Sequence, residues 1–70
     1  MTDHATAAPS SRWCAPTYNE AGGYWKAEVR APLTSRERAV GTEPVAFGPT
    51  EAACVAETAR IDRQRERLLP

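Results

Sequence analysis

Histidine, cysteine and paired carboxylates build most active sites and metal centres, and this chain is poor in the first two. Its soft ligands are His4, Cys14 and Cys54. They are too few and too scattered for a structural zinc site, whose ligands come in closely spaced pairs. His4 lies in a stretch without structural signal, so a nucleophile–histidine–acid set would draw its base from a disordered tail. Cys14 and Cys54 are forty positions apart. They read as two small buried thiols, with a Cys14–Cys54 disulfide as the alternative. "AGG" and "FGP" are turn-sized and make no phosphate-binding loop. Carboxylates could meet in space, but no spacing marks a pair. The reading is a non-enzymatic protein with no metal and no cofactor.

Size and charge narrow the field further. Seventy residues make one small domain, and chains of this size bury only about 60% of their unfolded surface. The large apolar side chains are few, and alanine supplies much of the apolar fraction. Such a domain is marginal alone, which favours a protein that associates with a partner. The formal net charge is zero, which argues against a strong nonspecific polyanion binder. Eight of the nine basic residues are arginine, the better residue for planar bidentate contacts; a GC-rich genome would produce the same bias. The start, "MTDHATAAPSS", has neither the basic nor the apolar region of a signal peptide. No apolar run approaches membrane-spanning length. A cytoplasmic protein is expected, with no membrane contact.

The elements that would position any site follow from pattern. Residues 1–11 are small, polar and without periodicity, and are expected to form a disordered tail. A single domain is expected over residues 12–70. "RWCA" is a short strand candidate that Pro16 ends or confines to an edge. "YNEAGG" has turn chemistry. In "YWKAEVRA", Trp25, Ala27, Val29 and Ala31 alternate with Tyr24, Lys26, Glu28 and Arg30, the period of a half-buried strand. "RERAV" and "PVAF" read as two further short strands joined by "GTE", with Val45 and Phe47 on a common face. Thr50 is a suitable N-cap and Glu51 suits the first turn, so a helix is expected from about Glu51 to Leu68. The expected fold class is α+β: a small antiparallel sheet of about three strands packed by one C-terminal helix.

That helix carries two apolar faces. At ~100° per residue, Ala52, Val55, Ala56 and Ala59 cluster on one side. Cys54, Ile61 and Leu68 line up on nearly the opposite side. In one orientation the alanine–valine stripe lies on the sheet and the Cys54–Ile61–Leu68 seam faces outward to bind another chain. In the other, the larger residues form the core and the alanines face water. The outward seam, with Arg65 or Trp25 as anchors, would serve a protein-interaction module that inhibits or adapts a larger protein, or would join two copies as a homodimer.

The polar side of the sheet is the second candidate. Tyr24, Lys26 and Arg30 alternate on one strand, and Arg36 and Arg38 are expected on the next. From Tyr24 to Thr42, four basic residues face two acidic ones, a balance of +2. A sheet bearing aromatic and basic groups can enter a DNA groove or stack on single strands. The stretches "GYWKAEVRAP", "VAF" and "PTEAACVAE" resemble the arm-type DNA-binding domain at the N-terminus of tyrosine integrases. The likeness covers roughly residues 22–60. It implies a three-stranded sheet laid in the major groove, with Lys26, Arg30 and Arg38 as contacts. The chain departs from that family in its neutral charge and in the long, proline-bounded segment between Pro32 and Pro44. In type it also resembles small accessory proteins of phages or mobile elements, which would place it in the host cytoplasm.

Overall fold

The computed structural model describes residues 11–69. All of the expected tail except Ser11, His4 included, lies outside the described residues. The elements run β1 (Thr17–Asn19), β2 (Tyr24–Glu28), α1 (Ser35–Ala39), β3 (Val45–Gly48) and α2 (Glu51–Leu68). The strands form one antiparallel sheet in the order β1-β2-β3, and α2 lies against one of its faces. This is the α+β architecture expected, with α2 ending where the pattern placed its ends.

The membership of the sheet differs from expectation. "RERAV" is helical, because Thr34 and Glu37 form a reciprocal capping box. The Glu37 N–H donates to Thr34 Oγ1 at 3.1 Å, and the Thr34 N–H donates to Glu37 Oε1 at 2.8 Å. That satisfies N-terminal groups a helix leaves unpaired. At the other end Gly41 takes φ +77°. Its N–H donates to the Arg38 carbonyl at 3.1 Å and that of Thr42 to the Glu37 carbonyl at 3.0 Å, a Schellman closure. "GTE" is thus a helix stop rather than a hairpin turn. The third strand is β1, taken from the stretch read as a turn. Asn19 closes that turn by accepting the Gly22 N–H at 2.9 Å. "RWCA" contributes a single bridge, Trp13 to Val29, before Pro16.

The helix takes the second of its two orientations. Trp13, Ala27, Ala46, Cys54 and Ile61 form the core, each at most 2% exposed, and Thr58 joins them at 1%. Ala52, Ala56 and Ala59 face solvent. An outward seam of Cys54, Ile61 and Leu68 is therefore corrected: only Leu68, 46% exposed, reaches the surface. The cause lies in the sheet. Its inner face at the centre is Ala27, Ala46 and Gly48, so an alanine stripe set against it would leave a void. Interiors fill to crystal-like density, and voids cost stability. The larger helix residues fill the space together with Trp13. Both cysteines are free, with Cys54 buried and Cys14 exposed, so neither the disulfide nor the pair of buried thiols is realised.

Candidate functional site

Side chains alternate across a strand, and directly opposed residues of an antiparallel pair share a face. With Ala27 and Ala46 paired and turned to α2, Tyr24, Lys26 and Glu28 point the other way. The register sets Asn19 beside Tyr24, Phe47 beside Lys26, and Val45 beside Glu28. No described element covers this face. Phe47 is 52% exposed there and meets the Tyr24 ring edge-on, with centroids 5.4 Å apart at 75°. The Asn19 side-chain amide donates to Tyr24 Oη at 2.9 Å and fixes that ring. Lys26 Nζ lies 3.3 Å from Glu28 Oε2. Arg30, two residues further on, is exposed, and its side chain has no partner among the described residues.

The structure brings Tyr24 and Lys26 together, with Arg30 just beyond. Arg36 and Arg38 are corrected: they stand on α1 and not on a strand, because the capping box converts their segment to helix. Arg38 is used locally, donating to the Leu33 carbonyl at 2.6 Å. The basic balance of the sheet face therefore rests on Lys26 and Arg30 against Glu28. Trp25 lies on the helix side, partly buried against the core, with Tyr18 5.6 Å away. Of the expected interaction residues on α2, Cys54 and Ile61 are core. Burial raises the Cys54 thiol above its ordinary pKa, with Glu51 and Glu57 adding to the effect, so it is no thiolate nucleophile.

Arg65 has another task, at a cluster the sequence did not mark. Glu37, 5% exposed, accepts from Arg65 Nε and from Arg12 Nη2 at 3.0 Å. Arg12 Nη1 donates to Asp62 Oδ1 at 2.7 Å, and Trp13 Nε1 donates to the same oxygen at 3.0 Å. One buried carboxylate thus fastens the N-terminal segment, α1 and α2. The Thr34 N–H, then Arg65, then Arg12 hold the Glu37 carboxyl at a pKa of about 2 against an ordinary 4.5, outweighing burial, which acts the other way. The folded value is the lower one. Its contribution is therefore complete above pH 4.5 and is lost as pH falls from there through about 2. Glu37→Gln is expected to lower stability at neutral pH by about 2 kcal/mol. That is less than for a fully buried pair, since Arg12 and Arg65 are partly solvated. In urea titrations the difference from wild type should close towards pH 2. A difference independent of pH would mean that ion pairing is not its source.

No three His, Cys, Asp or Glu side chains among the described residues could hold a metal ion. No described helix is long and apolar enough to cross a membrane. In comparisons with protein-family models, curated proteins and solved structures, nothing matches this chain.

Proposed function

We propose that this protein is a non-enzymatic interaction module that binds a larger protein through the open face of its sheet, in the manner of a cytoplasmic inhibitor or adaptor. The observation that carries this reading is the uncovered aromatic pair, with Phe47 52% exposed against Tyr24. Exposed apolar area of this kind marks binding surfaces, and aromatic and arginine side chains dominate interface energetics. The Lys26–Glu28 pair and Asn19 supply a polar rim. The arm-type DNA reading uses the same face and draws support from Lys26 and Arg30. It is disfavoured by Glu28 on that face, by the transfer of Arg36 and Arg38 to α1, and by the zero net charge.

The test is affinity purification at moderate salt after nuclease treatment, with the wild-type chain and a Phe47→Glu variant as parallel baits. One protein is expected at near-equal stoichiometry with the wild type and absent with Phe47→Glu, while circular dichroism shows both baits folded. A partner retained by Phe47→Glu would exclude the open face as its site. Retention of nucleic acid, lost on nuclease treatment, would favour the DNA reading.

A further inference from the structure

A second surface lies at the end of the sheet, away from the aromatic pair. There a cleft of about 260 Å³ opens between the N-terminal segment and the chain leaving β2. Arg12 and Arg30 stand on its lining, Glu37 is part of it, and Val29, Ala31 and Pro32 supply an apolar wall. Glu37 does not compete for a cation there. Its Oε1 accepts from Thr34 and its Oε2 from Arg12 and Arg65. The guanidiniums are in the opposite position. Arg12 donates one Nη to Asp62 and the other to Glu37, which leaves unused N–H groups on a five-donor fork. The Arg30 guanidinium donates to no described residue, while its backbone N–H donates to the Arg12 carbonyl at 2.8 Å and holds the two residues side by side. Among the residues lining the cleft, Arg12 and Arg30 are basic and Glu37 is acidic, leaving one net positive charge.

We infer that the Arg12–Arg30 cleft is a binding site for a single carboxylate, presented by an acidic side chain or a C-terminus of a partner protein. The planar fork of arginine matches a carboxylate in shape. One net positive charge suits a monoanion better than a phosphate, which carries more than one negative charge near neutral pH and would sit close to the Glu37 oxygens. The apolar wall suits the carbon atoms that carry a carboxylate in a peptide. The site shares Arg30 with the border of the open face but none of its aromatic residues, so it stands whether or not the aromatic pair binds a protein.

Nitrogen-edited NMR titrations at constant ionic strength test it with two probes. N-acetyl-aspartyl-N-methylamide stands for an acidic side chain, and N-acetylalanine for a chain terminus. With at least one probe, the Arg12 and Arg30 Nε signals and the Ala31 and Thr34 amides are expected to shift saturably. Arg30→Gln should weaken that probe about tenfold, the worth of one charge-assisted contact. Lys26→Gln, which removes the same charge from the other surface, should change little. Whichever probe binds tighter identifies the source of the carboxylate. Shifts that merely match those from sodium chloride, indifference to Arg30→Gln, or tighter binding of inorganic phosphate would each overturn the assignment.

Discussion

Ile61→Glu is expected to leave the chain unfolded at neutral pH, whereas Ala59→Glu on the same helix is expected to fold. Ile61 is 2% exposed beside Trp13 and Cys54. The substitution forfeits about 2 kcal/mol of apolar burial and adds several more for a carboxylate taken from water. A domain of this size holds about 4–10 kcal/mol in all, by the usual ~0.05–0.15 kcal/mol per residue. The loss therefore consumes most or all of it. Ala59 faces solvent, and a charge there costs little. Far-UV circular dichroism and urea titration of the two variants read the roll of α2 directly. A folded Ile61→Glu beside an unfolded Ala59→Glu would require the helix to be turned by half a revolution, with its larger residues outward.

That roll was the part of the fold the sequence left open. The extent of α2 was legible: Thr50 caps it, no glycine or proline interrupts it, and it runs Glu51–Leu68. Its orientation was not, because alanine and the Cys54–Ile61 pair both offer plausible inner faces. The decision came from residues elsewhere in the chain, namely the small Ala27, Ala46 and Gly48 and the fully buried Trp13. Pairwise packing of that kind leaves no periodic signal. Strand β2 was legible from its alternation, and the open face with Tyr24 and Lys26 follows from it. The five-residue α1 was not legible as a helix because it is too short to display a helical period. Its signals were nonetheless present, in Thr34 and Glu37 three apart and in Gly41 after the last turn. Reading that capping box would have removed Arg36 and Arg38 from the sheet and drawn attention to Glu37. The partners of Glu37 could not have been inferred, since Arg12 and Arg65 lie on opposite sides of it in the chain and charged residues are plentiful.

These placements also separate what holds the domain together from what it offers to others. Among the described residues, three arginines are held in ion pairs. Arg12 and Arg65 hold Glu37, and Arg60 bridges Glu57 at 2.6 Å and Glu43 at 2.9 Å. The pairs to Glu37 and Glu43 tie α2 and the N-terminal segment to the stretch between β2 and β3, and Arg60–Glu57 lies within α2. The open face by contrast keeps its largest apolar side chain in solvent.

Gly48→Ala should be among the most damaging single-atom changes available to this chain. A Cβ at Gly48 would lie 2.5 Å from the Cys54 backbone nitrogen, 2.8 Å from the Ala53 carbonyl carbon and 2.9 Å from the Cys54 Cα. All three are backbone atoms in the first turns of α2, so no side-chain rotation relieves the overlap. Relief requires α2 to move away from β3. That would pull Cys54 from the core and stretch its 3.6 Å contact with the Ala46 carbonyl. Overpacking commonly costs about 1–3 kcal/mol, and this case belongs at or above the top of that range. The requirement is one of space and not of backbone conformation, since the positive-φ glycines are Gly23 and Gly41. Gly23→Ala consequently serves as a comparison. Nothing lies within 4 Å of its added Cβ, and only its φ of +72° is strained, so it should cost about 1 kcal/mol. In urea titrations Gly48→Ala should lose at least twice as much stability as Gly23→Ala. The reverse order would mean that α2 does not approach β3 as closely as the packing of Ala46, Gly48 and Cys54 demands.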